Sequence, residues 1–547
     1  MQKLVNIVVL LMVLITSSCL NSDTNLAGKK VFKYNESAGI TSLDPAFAKD
    51  QANISAVNQL FNGLVQLDNK LNILPCIANS WAISADGLTY TFKLRTDVYF
   101  HKSIVFKDSL RKVIASDFVY SFNRIVDEKI ASPGAWIFNN VKVRDAKYCF
   151  SAPDDSTFVI ELNKKFPPFL GLLTMQYCSV IPHEAIETYG KDFRKNPVGT
   201  GAFMFKMWKE GIKLVMLKNE NYFEWDGNNR LPYLDAIAVT FIIDKQSVFL
   251  EFVKGNIDYM SGIDASYKDE LLTITGRLNP KYFNKFKMIT QPYLNTEYLG
   301  FLMDTTKDVV KNNPVKIKAV RQAINYGFDK IKMMRYLRNN IGTPALSGFI
   351  PKGFLCFDTS KVKGYDYNPE KARKLLSDAG YPNGNGLGEI TIATTASYLD
   401  LCKYIQNQLN DIGLKVKIDV NQAGTLREMI AQSKSTFFRG SWIADYPDAE
   451  NYLSLFYSPN YCPAGPNYTH FKSNEYDLLY AKSQNELKDS VRNIYYNKMD
   501  QLIMDEAPVV VLYYDQVLRF VQNNIEDIGS NPMNLLTLKK VKKLTRL

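Results

Sequence analysis

Hydrophobic positions in this chain recur with two periods, and the dominant period changes along its length. Early on the alternation is of period two: Leu88-Thr89-Tyr90-Thr91-Phe92-Lys93-Leu94-Arg95 reads as a half-buried strand, as do Ile237, Val239, Phe241 and Ile243 further along. Helical spacing interrupts at residues 53–61, at 116–124 behind a Ser116 cap, and at 245–253, which Gly255 stops in a left-handed conformation. From about Lys287 helix and strand patterns alternate. Residues 314–327 read as helix. Residues 369–379 carry the fullest set of helix signals: Asn368 caps, Pro369 opens, Ala372, Leu375, Leu376 and Ala379 make the apolar stripe, and Gly380 ends it. A strand at 389–393, a helix at 398–412 stopped by Gly413, the strict alternation Leu414, Val416, Ile418, Val420, and a helix at 425–432 follow. This succession implies crossover connections, a mostly parallel sheet and an α/β fold.

The pattern comes to a point at residues 437–456. A strand-like approach ends near Trp442 and Ile443, Pro447 stops the strand, and Asp448 caps a helix with Tyr452, Leu453 and Phe456 on one face. Asp445 is left on a strand-to-helix turn, and ligands in open α/β sheets gather at such turns. A second candidate loop, Pro197-Val198-Gly199-Thr200-Gly201, lacks the third glycine and the following helix of a nucleotide site.

Length, termini and cysteines narrow the class. At 547 residues the chain exceeds a single core, so two or three domains are expected. Lys3, the apolar run Leu4 to Ile15, and Thr16-Ser17-Ser18 before Cys19 form an export signal over residues 1–18. A small-residue run ending in cysteine resembles the bacterial lipoprotein signal, which implies acylation of Cys19 and a tether over 19–30. The other six cysteines allow fifteen pairings, among which sequence does not choose. With three scattered histidines (His101, His183, His470) and no Cys-x-x-Cys pair, no metal site is expected. The net charge of +11 is spread along the chain, and its short basic end reads as a solvated terminus, so nucleic acid is not expected as a partner.

Several stretches, in order along the chain, resemble the family 5 extracellular solute-binding proteins of bacterial ABC importers. They are Ser42-Leu43-Asp44-Pro45, Leu60-Phe61-Asn62-Gly63-Leu64, Ser80-Trp81, Tyr90 through Arg95, and Ala115-Ser116-Asp117-Phe118-Val119-Tyr120-Ser121-Phe122-x-Arg124. Later come Pro197 through Gly201, Leu231-Pro232-Tyr233-Leu234-Asp235, Val315 through Ile324, Tyr367 through Ala372, and Trp442-x-x-Asp445-Tyr446-Pro447-Asp448. His101-Lys102-Ser103 and an insertion to Lys112 replace the Asp-Gly of many members. The resemblance implies a periplasmic-binding-protein-like α/β fold of type II, peptide-binding subclass, with two lobes and an extra inserted domain. Domain I would comprise residues 31–61, 183–285 and 505–547, domain II residues 62–182, and domain III residues 286–504. It further implies a monomeric, non-enzymatic protein of the cell envelope without cofactor. Such a protein would be lipid-anchored at Cys19, facing the periplasm or the outer face of the cytoplasmic membrane, and would deliver short peptides to ABC permease subunits.

In peptide-binding members the aspartate of the Trp-x-x-Asp motif takes the ligand's α-amino group, which falls on Asp445. A buried ammonium requires a carboxylate partner. The same comparison makes Trp442 a pocket wall, Arg439 a contact near the ligand's carboxylate end, and Trp136 part of the opposing wall. Two alternatives stay open. One is the same fold holding a nickel complex, haem, an opine or an oligosaccharide. The other is an exported hydrolase, for which neither Gly-x-Ser-x-Gly nor a metal dyad is present.

Overall fold

Among the described residues most strands belong to one large sheet or to one of four strands, with four short two-stranded pairs besides, and the large sheet carries the Asp445 turn. The computed structural model describes residues 28–108, 110–264 and 266–545; the expected export signal and Cys19 lie outside them. In chain order the main strands of these two sheets are Val31–Asn35 (β1), Ala78–Ile83 (β2), Thr89–Leu94 (β3), Phe150–Asp154 (β4), Thr157–Glu161 (β5), Phe203–Lys209 (β6) and Lys213–Lys218 (β7). They continue with Ala236–Thr240 (β8), Tyr259–Ser261 (β9), Phe286–Phe301 (β10), Glu389–Thr395 (β11), Lys415–Asn421 (β12), Phe437–Ile443 (β13) and Val509–Gln522 (β14). The large sheet runs β6-β7-β8-β1-β9-β14-β10-β13-β11-β12, and the short pair Thr343–Pro344 also joins β14. The small sheet, β2-β3-β5-β4, lies wholly between residues 78 and 161.

The large sheet is mixed, which corrects the mostly parallel expectation. β11 runs parallel to β12 and β13, as crossover helices require, and β1 runs parallel to β8 and β9. The long strands β10 and β14 pair antiparallel with each other and with β13 and β9, and they join the two halves of the sheet. Their register breaks between Pro292 and Thr296, where Pro292 can donate no backbone hydrogen bond.

Alternation along these strands sorts the core onto two faces. Phe437 joins Leu299, Phe301, Ile390 and Ile392 on one side, while Phe438 joins Leu294, Tyr298 and Tyr452 on the other. A further core holds β1, β8 and the small sheet together through residues such as Phe32, Ile237, Phe92 and Phe158.

Most predicted elements are present with shifted ends. The helix Pro369–Asp378 has its Asn368 cap, whose Oδ1 accepts from Lys371 N (2.9 Å), and Gly380 at φ +92°. The Ser116 cap is superseded. Asp117 Oδ2 accepts from Ile114 N (2.9 Å), so the helix starts at Ala115 and Ser116 is exposed. Strand β8 ends before Ile243, which is 81% exposed, because the Asn35 side chain takes the N–H of Ile242 (2.8 Å). Gly199 and Gly201 have a packing reason: a Cβ there would lie 2.1 Å from Leu60 O and 2.3 Å from Gln59 O. The six described cysteines are free thiols.

Candidate functional site

Strand β13 delivers the turn. Ile443 pairs with Asn295 of β10, Ala444 N donates to Leu294 O (3.0 Å), and the chain then leaves the sheet at Asp445. Pro447 forbids continuation, and Glu450–Leu453 begins a short helix whose first amide, Glu450 N, donates to Asp448 Oδ1 (2.9 Å). Asp448 is also held by Arg492 and accepts from Tyr496 Oη (2.9 Å). Asp448 is thus committed to structure.

Asn451, buried at the second position of that helix, fixes the geometry. Its Oδ1 accepts from Trp442 Nε1 (2.9 Å) and from Asp445 N (3.2 Å), and its Nδ2 donates to Asp445 Oδ2 (3.4 Å). Tyr452 Oη donates to Leu294 O (2.7 Å) and ties the helix to β10. Beneath the turn Tyr446 and Tyr480 both donate to the fully enclosed Glu450, whose carboxyl burial pushes up to about 7.

The Asp445 carboxylate keeps surface open to water, yet protein crowds it on its other sides. Loss of bulk solvent is the largest influence on it and raises its pKa, with the Asn451 hydrogen bond opposing only in part. Among the described residues no Lys, Arg or His forms an ion pair with it. A carboxylate partly withdrawn from water with no cation beside it is chemically able to accept one.

Residues from the region around the small sheet pack against this turn. The Trp136 ring lies 6.3 Å from that of Tyr446, and Pro447 Cδ is 3.6 Å from where a Cβ on Gly171 would stand. Tyr177 packs over Gly134, where a Cβ would meet its ring at 2.4 Å. Burial, then the charges of Asp445 and Asp50, raise the Tyr177 phenol to about 12. Asp50 also lines a 610 Å³ recess with Tyr34, Glu36, Lys245, Tyr259 and Asn534.

Of the residues singled out by sequence, Asp445, Trp442 and Trp136 converge here. Arg439 does not join them. Its position in β13 is odd relative to Trp442, so it projects from the other face. There it forms an ion pair with buried Glu297 and lies over the Tyr398 ring at 3.4 Å, beside the Arg338–Asp515 pair (3.1 Å). Burial raises the Glu297 carboxyl while Arg439 opposes the rise. Sequence reading missed Asn451, Tyr177 and Glu450. Asn451 carries no motif signal; its role follows from the helix that Asp448 starts.

The large mixed sheet with its long crossing strands and the separate small sheet are those of a two-lobed binding protein of the periplasmic type. The chain belongs to the bacterial extracellular solute-binding proteins, family 5, whose family model ("family 5 Middle") matches residues 72–461. It is similar to Heme-binding protein A of Haemophilus influenzae, 28% identical with 90% of this chain and 88% of that one covered. Against Dipeptide-binding protein DppE of Bacillus subtilis the identity is 24%, covering 94% and 92%. Among solved structures, the ABC transporter-associated periplasmic binding protein DppA from Helicobacter pylori, in complex with the peptide STSA, superposes with a TM-score of 0.72. It is 26% identical, and 93% of this chain and 98% of that one are covered.

Proposed function

We propose that this protein captures short peptides between its lobes and hands them to the permease of an ABC importer, with Asp445 taking the peptide's α-ammonium group. The observation that carries this reading is the Asp445 carboxylate itself, open to water on one side and crowded by protein on the others, without a cationic partner among the described residues, and held in place by Asn451. Trp442 and Trp136 form parts of the two walls. Arg439, on the other face of β13 and paired with Glu297, is given no ligand contact in this reading. The peptide complex of the H. pylori relative supports the ligand class.

The haem reading has one observation in its favour, the name of the H. influenzae relative. Against it, none of the three histidines lies at the turn. His101 Nε2 contacts Gly201 O (3.0 Å), His183 sits beside Glu184 (3.3 Å), and His470 pairs with Asp304 (3.0 Å).

In this account domain II is residues 62–182, which contain the whole small sheet, and domain I is residues 31–61, 183–285 and 505–547. Domain III is residues 286–504. Closure pivots where the β10 and β14 register breaks, at residues 293–295 opposite Asp515. Export and acylation of Cys19 anchor the monomer at the membrane, where the closed form meets the permease. The test is a thermal-shift screen with free-amine peptides, their N-acetylated counterparts and haemin. Stabilisation by free-amine peptides alone supports the reading, and stabilisation by haemin without any peptide effect overturns it.

A further inference from the structure

The end of β10 and β13 farthest from Asp445 holds a second group of chemically active side chains. Phe437 pairs with Phe301 there, against Ile443 with Asn295 at the Asp445 end, which separates the two places by about 20 Å of strand. Just past Phe301, Asp304 Oδ2 lies 3.0 Å from His470 Nδ1; the other nitrogen, Nε2, lies 3.4 Å from Cys462 Sγ and 3.2 Å from Ser433 Oγ. Ser433 Oγ is in turn 3.3 Å from Cys462 Sγ. The order is nucleophile, base, orienting carboxylate, each within hydrogen-bond reach of the next.

Several features hold this arrangement. Asp304 Oδ1 accepts from Thr306 N (2.9 Å) and Thr306 Oγ1 (2.6 Å), so the carboxylate cannot swing away. The Tyr461 ring stacks on the imidazole at 4.4 Å, 2° from parallel, and fixes its plane. His470 adopts φ +51°, an uncommon backbone conformation for a residue with a Cβ, and uncommon conformations cluster at functional positions. Cys462 and His470 keep 5% and 6% of their surface, next in sequence to the exposed Pro463 and Ala464, which leaves an approach for small reagents only.

The geometry serves two proton distributions. In one a neutral thiol points at Ile430 O (3.7 Å). In the other the sulfur is a thiolate accepting from His470 Nε2–H and Ser433 Oγ–H, and Asp304 stabilises the imidazolium. Burial pushes the Cys462 thiol up, but the hydrogen bonds from His470 and Ser433 and the imidazolium charge outweigh it, and the net direction is down. Burial likewise pushes His470 down, and Cys462 and Asp304 carry it above its ordinary value. The other titratable groups facing the pair are Tyr461, which feels Asp304, and Tyr468, which feels Cys462.

We propose that Cys462 is a nucleophilic, oxidation-sensitive cysteine, activated by His470 under the orienting hold of Asp304, whose co-reactant is a small hydroperoxide. In the step, the thiolate sulfur attacks one peroxide oxygen, the S–O bond forms and the O–O bond breaks. The sulfur gives up two electrons and the leaving hydroxide or alkoxide takes the proton from His470 Nε2, leaving a sulfenic acid and water or an alcohol. The site stands apart from the Asp445 turn and does not rest on the peptide reading.

The test treats the full mature protein with stoichiometric hydrogen peroxide in the presence of dimedone and maps the adducts by peptide mass spectrometry. In parallel, ultraviolet thiolate absorbance is titrated against pH as the difference between wild type and Cys462→Ser, a readout that needs no reagent access. Expected are preferential dimedone capture at Cys462 and a thiolate midpoint below the free-cysteine value of about 8.5. His470→Gln should slow capture at neutral pH by about tenfold or more and move the midpoint up, with Asp304→Asn doing the same more weakly. Should His470→Gln fail to fold by near-ultraviolet circular dichroism, Asp304→Asn and the wild-type difference titration decide. Capture at half-exposed Cys149 ahead of Cys462, a midpoint at or above the free value, or indifference to both substitutions overturns the proposal.

Discussion

Replacing Asp445 by asparagine removes one charge from the turn and keeps its shape, so Asn451 retains partners while a ligand ammonium loses its own. Breaking a closed, desolvated ion pair by deleting one partner costs about 3–5 kcal/mol. Because Asp445 stays open to cleft water here, the lower end applies, and about 3 kcal/mol corresponds to roughly a hundredfold in Kd. N-acetylating the peptide deletes the other partner and should cost about as much in wild type but little further in Asp445→Asn, since the two changes remove one interaction. The pH dependence carries a sign. Desolvation raises the carboxyl pKa in the free protein, and a bound ammonium pulls it down again. Binding therefore releases protons, and affinity falls as pH drops through the raised value. Calorimetric titration of matched free and acetylated tetrapeptides, in buffers of different ionisation enthalpy, reads both effects. Equal affinity for acetylated and free peptides, or proton release that survives in Asp445→Asn, would refute the role of this carboxylate.

Other outcomes follow from the neighbouring contacts. Trp136→Ala removes the aromatic contact to Tyr446 across the cleft; with such pairs worth about 0.5–1.5 kcal/mol, peptide Kd should rise roughly two- to tenfold, and an unchanged Kd would remove Trp136 from the wall. Glu450 titrates at about 7 in the fold against an ordinary 4.5, so its contribution to stability is complete below about 4.5 and is lost as pH rises through 7. Denaturant unfolding of Glu450→Gln should therefore show less of this loss than wild type, by about 3 kcal/mol at most between those limits; identical pH slopes would contradict it. Glu297→Gln leaves buried Arg439 without its counter-charge and should destabilise by about 3–5 kcal/mol, whereas pairing it with Arg439→Met should recover much of that in a double-mutant cycle.

The sequence makes some of this legible and hides the rest for physical reasons. The Asp445 turn could be read because Pro447 and Asp448 are local signals, and the helix at Pro369–Asp378 because its cap, stripe and stop lie within a dozen residues. Arg439 carried its own warning: a side chain three positions from Trp442 in a strand faces the other way. The mixed sheet was not readable, because the antiparallel joins are made by β10 and β14, more than 200 residues apart. Tyr177 and Trp136 meet the turn from some 270 to 310 residues away, and Asp304 meets His470 across 166. Spacing rules do not reach contacts that only the folded sheet creates.

The central claim, that the cleft holds a peptide through its free amine, is tested most directly by native mass spectrometry of the protein isolated from its own cells. The account predicts a bound mass that fragments as a peptide with an unmodified N-terminus and that is lost from Asp445→Asn. Haem, a metal chelate or a sugar as the retained ligand, or an N-blocked peptide held equally by both forms, would contradict it.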